Sequence, residues 1–258
     1  MLESLKANEK NVKNIAEHVQ NALVFGKNHP FGEQITTSTV NRIELQDIQN
    51  HYQEFFVPEN AYLVVVGDVQ FDEIKKSVEN IYVSCSKKSA PQVSYVNPVN
   101  VAQSEINFVN VPHAVQSELA FVNSIDLPMN SPDFFPALLA NQILGGGGEG
   151  RLFLNLREKH GWTYGAYSSL KASKYVSKFR AGASVRNTVT DSAIVEVFNE
   201  LKRIRLEKVS DEDLKNAKAK YIGNFVMQIE KPQTIARHAL NIETQNLPKD
   251  FYENYIKN

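Results

Sequence analysis

Residues Gly145–Gly148 are four consecutive glycines, followed by Glu149 and Gly150. Glycine loses more backbone freedom on folding than any other residue, so such a run belongs inside neither a helix nor a strand. Whatever precedes it must stop at Gly145, and whatever follows must start afresh after Gly150. Upstream, "DFFPALLANQILG" reads as an apolar helix with Gly145 as its cap. Downstream, Leu152, Phe153 and Leu156 give a short helix its buried face, with Arg157, Glu158 and Lys159 turned away. Gly161 stops that helix, and Lys159 and His160 in its last turn complement the helix dipole. A strand begins near Thr163. Between these pieces, the glycines are expected to form a mobile loop beside a working surface.

Gly145, Gly147 and Gly150 match the spacing of a dinucleotide fingerprint, but that fingerprint needs a strand before its first glycine and a helix after its last. The preceding segment is helical, and no Lys-Ser or Lys-Thr follows to cradle phosphates, so nucleotide binding is set aside. The corner itself is more informative. Arg157 and Tyr164 sit on either side of one tight stop, where a guanidinium fork and a phenol can share a space. Such donors can hold a peptide carbonyl or steady charge developing on it. Taken alone, an arginine and a tyrosine at a corner read as surface solvation and core packing before they read as a site.

The rest of the chain alternates helix and strand signals. Ala7–Phe25 carries apolar residues at a helical period, and "GKNHPFG" breaks it at Gly26–Gly32. A second helix is expected from about Glu44, with Leu45, Ile48, Tyr52 and Phe55 on one face. Tyr62–Val66 is a continuous apolar run, expected as a strand buried on both sides. "DEIKKSVENIYVS" is an amphipathic helix, and strands are expected at "EINFVNV", "SELAFVNSI", "TYGAYSSLKAS" and "KFRAGASVR". From Asp191 onward the pattern is helical. The fold class is α+β: mixed or antiparallel sheets with helices packed on one face. A weak internal repeat, Lys6–Phe25 against Lys220–Asn246, suggests duplicated domains, the second cut short at its C-terminus. The division expected is residues 1–88, a proline-containing linker at 89–102, and residues 103–258.

Composition narrows the function. Lysine and arginine number 28 against 29 acidic residues, a net charge of −1 that offers nucleic acid and anionic membrane no electrostatic hold. No apolar run approaches a membrane span, and residues 1–20 lack a signal-peptide core. The reading is a soluble protein, with bacterial cytoplasm and periplasm both open. The single cysteine, Cys85, rules out an internal disulfide framework and reads as an ordinary surface or half-buried thiol.

The segment "GGGGEGRLFLNLREKHGWTYGAYSS" resembles the signature of the second domain in pitrilysin/insulinase-type zinc metallopeptidases, which include mitochondrial processing peptidase. "HPFG" at His29–Gly32 and "YQEFFVPENAYLVVVGDV" at Tyr52–Val69 resemble the end of that family's first domain, so the likeness covers nearly the whole chain. It implies that residues 1–88 close a first peptidase-like domain and that residues 103–258 form most of a second, inactive-type one. It also implies that Arg157, Tyr164 and the glycines Gly145, Gly146, Gly147 and Gly148 contact peptide substrate near the scissile bond.

The departure from the family is equally informative. The family carries zinc on His-x-x-Glu-His with a later glutamate, whereas His18, His29, His51, His113, His160 and His238 include no pair so spaced. Catalytic zinc needs three protein ligands and an open position for water. No catalytic or metal-ligating residue is therefore assigned to this chain; the zinc motif is expected upstream, the later glutamate near the N-terminus (Glu3 being nearest), and His29 reads as a turn residue. The expectation is a substrate-binding part of a zinc-dependent metalloendopeptidase, inactive by itself. Its zinc would lie in the same polypeptide or on a partner, giving an intramolecular catalytic half or a homo- or hetero-dimer. The alternative is a non-catalytic partner subunit or scaffold with the same fold.

Overall fold

The computed structural model describes residues 1–83 and 88–257, so Cys85 lies outside the described residues. Helices α1 (Leu2–Asn8), α2 (Val12–Phe25), α3 (Thr37–Asn41), α4 (Leu45–Phe55) and α5 (Phe71–Tyr82) precede strand β1 (Gln116–Ile125). Helices α6 (Phe134–Gly145) and α7 (Arg151–Phe153) then lead to β2 (Ala166–Leu170) and β3 (Ser177–Arg186). Helices α8 (Thr190–Leu206), α9 (Asp211–Ile229) and α10 (Pro232–Thr244) follow. The chain divides into a unit of residues 1–37 and 95–221 and a unit of residues 38–94 and 222–258.

Alternation along the strands builds the first unit. The sheet is antiparallel in the order β1-β3-β2, with Leu119 paired to Ala183 and Ala183 to Ala166 across its width. Alanines at these central positions let helices approach closely, and α6, α7 with the turn that follows it, and α8 cover that face with Leu144, Leu152, Leu156, Ala193 and Val197. Leu152, Leu156, Val185 and Val197 are fully buried there. One residue out of phase, Glu118, Arg180 and Ser184 point to the opposite face, where α2 runs beside β1.

The second unit begins helix α4 as its sequence dictates. Glu44 is the N-cap, and the Asp47 carboxylate accepts the Glu44 backbone N–H at 2.9 Å, completing a capping box. Its apolar face is open, however: Leu45, Ile48 and Tyr52 are exposed. The centre of this unit is a stack of rings instead. His238 lies 3.6 Å from Tyr252 and 5.8 Å from Phe225, centroid to centroid, and Phe225 stacks on Tyr255 at 4.5 Å.

Two expected strands are absent. Tyr62–Val66 is unpaired extended chain, with Tyr62 and Leu63 about 60% exposed (60% and 59%) rather than buried on both sides. Glu105–Val111 is likewise unpaired. A strand is stabilised by its neighbours' hydrogen bonds and side chains, and no described segment forms a ladder with either stretch.

Candidate functional site

The glycine run is shaped by contact. A Cβ on Gly145 would stand 2.3 Å from the Ser168 backbone nitrogen, so only glycine lets the end of α6 rest on β2. A Cβ on Gly150 would meet the Gly145 Cα at 2.8 Å, so the two ends of the loop touch. Gly145 and Gly150 are buried, and Gly148 and Glu149 are exposed between them. The anchors are thus packed, and between them Glu149 lies 3.6 Å from the Lys220 ammonium while the Gly146 carbonyl accepts from Gln142 Nε2 at 2.9 Å.

Beyond Gly150 the chain makes the short α7 and then a π-helical turn over Leu154–Lys159. The wide turn brings Asn155 inward as well as Leu156. The Asn155 Nδ2 donates to Glu196 Oε2 and to Glu200 Oε1 of α8, both at 2.8 Å, fastening the turn to the helix behind it. His160 stacks on Trp162 with centroids 4.1 Å apart and holds Nε2 3.9 Å from Glu196. Gly161 adopts φ +63°, and its N–H reaches the Arg157 carbonyl at 2.9 Å, ending the helix as its sequence indicated. Arg157 is thus carried on a braced turn. Its guanidinium lies 4.8 Å over the Phe153 ring and 3.6 Å from the Glu158 carboxylate.

The polar face of the sheet opens into a cleft of about 620 Å³. Its walls include Tyr164, Tyr167, Glu118, Lys178, Arg180 and, from α2, Gln20. Tyr164 is 88% exposed at this cleft, immediately after a corner that Thr163 locks by donating to the Ser184 carbonyl at 2.7 Å. Glu118 pairs with Arg180 at 2.8 Å and accepts from the Ser184 hydroxyl. Burial pushes the Lys178 ammonium below its ordinary 10.5; Glu17 opposes the shift, while Arg180 and Lys171 add to it. Of the residues singled out from the sequence, Tyr164 lies on the cleft, Arg157 rests on Phe153, and Gly145 sits behind the loop against Ser168. Sequence reasoning missed Glu118, Lys178 and Arg180. The signal was present in "SKFRAGASVR", where Lys178 and Arg180 fall at i and i+2 on the face opposite its alanines.

The model of the peptidase M16 inactive domain matches residues 42–221. The chain belongs to that family. It is 26% identical over 209 residues to an uncharacterized zinc protease of Rickettsia bellii, aligning 80% of this chain with 49% of that protein. An M16 inactive domain from Pseudomonas fluorescens superposes with a TM-score of 0.87 at 20% identity, over 99% of this chain and 61% of the other. A protease from Helicobacter pylori gives 0.84 at 17% identity, over 99% and 62%. The chain therefore spans about half the length of the curated relatives it matches.

The donors of this M16 inactive domain do not fit the zinc of its relatives. Among the described residues no three His, Cys, Asp or Glu side chains converge. His29 is buried between Phe25 and Tyr95, and its Nδ1 accepts the Phe31 N–H at 3.0 Å. That histidine holds a turn together, as its place in "NHPFG" indicated.

Proposed function

We propose that this chain is the substrate-binding, non-catalytic part of a zinc-dependent metalloendopeptidase. Residues 1–88 end its first peptidase-like domain, 89–102 link, and 103–258 form the second. The zinc and its ligands lie elsewhere in the same polypeptide or on a partner chain. The observation that carries this reading is Tyr164. A tyrosine kept for packing buries its ring, whereas this one stands 88% exposed at a cleft behind a doubly braced corner. Its phenol and the Arg157 guanidinium act as donors to the peptide carbonyl beside the scissile bond, where negative charge develops. The side-chain-free backbone of Gly146–Gly148 admits an extended peptide alongside, and Gly145 anchors it from behind.

The test is Tyr164→Phe in the intact protein, with any partner chain present. Loss of one donor facing developing charge costs roughly 2–4 kcal/mol of transition-state stabilisation, a fall in kcat/KM at unchanged melting temperature. The fall is in kcat if the contact forms only in the transition state. Arg157→Lys should also be harmful, because an ammonium lacks the planar fork. Near-normal peptide cleavage by Tyr164→Phe would leave the corner as a helix stop and favour a scaffold.

A further inference from the structure

The cleft beside Tyr164 contains polar groups whose capacity the chain does not fill. Lys178 can donate three hydrogen bonds, and the structure gives its Nζ one partner, Asn21 Oδ1 at 2.5 Å. Its ion-pair needs are unmet as well. Glu118, the carboxylate on the same sheet face, is committed to Arg180 and Ser184. Glu17 lines the cleft and favours the charged ammonium, yet no described carboxylate lies within ion-pairing distance of Lys178. A half-buried ammonium facing a cleft without a carboxylate partner gains from a counter-charge supplied by a bound molecule.

A second observation is independent of the first. Gln20, on α2, also lines the cleft; it is only 6% exposed and its Oε1 has no hydrogen-bond partner. A buried carboxamide oxygen without a donor is rare in folded proteins. The amide's terminal torsion is broad, so it can turn toward a bound molecule without leaving its rotamer. The cleft thus combines an unmatched cation with an unmatched acceptor, beside the exposed phenol of Tyr164 and the half-exposed one of Tyr167. Its charged walls are Lys13, Lys178 and Arg180 against Glu17 and Glu118, an excess of positive charge in a molecule whose net charge is −1.

We propose that this cleft receives a carboxylate of the bound peptide, held by Lys178, with a neighbouring peptide N–H donated to Gln20. This rests on the reading of the chain as a peptide-binding part of a peptidase and gives that part a preference for acidic ligands. The carboxylate is either an Asp or Glu side chain or the peptide's own C-terminus; both present the same pair of oxygens to an ammonium. Tyr164, on the same cleft, then fixes where along the peptide the carboxylate falls.

The experiment uses the intact protein and labelled decapeptides differing only by Asp for Asn at one position, each with a free or an amidated C-terminus. Affinity is read by fluorescence anisotropy. The wild type should bind an acidic peptide about 10-fold or more tighter than its neutral twin, the range of a charge-assisted hydrogen bond. A preference that follows Asp identifies a side-chain carboxylate, and one that follows the free terminus identifies the C-terminus. In Lys178→Met the ratio should collapse to about one, and in Lys178→Arg it should persist. Lys178→Gln supplies the same measurement should the methionine variant fold poorly. Equal wild-type affinity both across the Asp/Asn pairs and across the free/amidated pairs, or a preference that survives Lys178→Met, overturns the proposal. The parent reading answers to a different result: Tyr164→Phe should slow cleavage of acidic and neutral peptides alike. A Tyr164 effect without acid preference therefore sinks this inference alone, and failure of every peptide to bind sinks both.

Discussion

Two stretches of this chain look alike on paper and end differently. Tyr62–Val66 is the more apolar, a run of one tyrosine, one leucine and three valines, yet it stands unpaired with Leu63 more than half exposed. β1 is the poorer candidate by composition, with Gln116, Ser117, Glu118, Asn123 and Ser124 among its ten residues, yet it pairs along its whole length with β3. The difference lies in the neighbours. β3 offers β1 a complete ladder and a row of alanines, and three helices close the far side of that sheet. Apolar content signals a demand for burial, and only a partner strand and a covering layer can meet it.

The largest test of this comparison is a pair of leucines. Leu156→Ala removes a fully buried side chain from the helix–sheet core and should destabilise the protein by about 2–5 kcal/mol. Leu63→Ala, in the unpaired run, should stay within about 0.5 kcal/mol. Thermal or denaturant melts of the two variants decide it, and equal losses would mean that Tyr62–Val66 is buried in solution.

A smaller effect is expected where backbone meets backbone. Gly145→Ala places a methyl against the Ser168 nitrogen, a contact with no flexible side chain to yield, so α6 must lift from β2. The cost should be about 1–3 kcal/mol. Gly67→Ala, with open space around it in the second unit, is the matched control. A neutral Gly145→Ala would show that the helix end does not rest on the strand.

The smallest effect is a pH dependence. Burial, and then Arg237, hold His238 below its ordinary 6.5 within the ring stack. The folded state therefore binds that proton more weakly than the unfolded chain does. Stability is full above pH 6.5 and falls as pH drops through 6.5 toward the lower folded value. His29, in the first unit, is lowered by burial and contributes with the same sign. His238→Phe should keep the stacking and reduce, without abolishing, the loss of melting temperature between pH 7.5 and 5.5. An undiminished loss would place the titration elsewhere.

Local features of this fold were legible in the sequence, and non-local ones were not. The start of α4 was written at Glu44, the end of the helix before Tyr164 in Gly161, and the core face of the short helix in Leu152 and Leu156. Each depends on residues within one or two turns. The missing strands failed because pairing partners leave no mark on the strand that lacks them. The π turn left none either, since its cause is the reach of Asn155 to Glu196 and Glu200, more than forty positions away. The cleft joins Lys178 to Asn21 and Arg180 to Glu118 across 157 and 62 positions, so only the cations of β3 hinted at it.

The meeting of Gly145 and Gly150 has a bearing on how this protein can vary. The two anchors touch, and the chain between them has two further side-chain ties, Gln142 Nε2 donating to the Gly146 carbonyl at 2.9 Å and Lys220 3.6 Å from the Glu149 carboxylate. Lengthening a closed loop adds entropy cost only logarithmically, about 0.6 kcal/mol per doubling. Residues 146–149 are thus a splice point, where a lineage or an engineer can insert residues at the cost of those two ties and change how far the loop reaches. The two glycines at its base have no such liberty, and drift should stop abruptly at both.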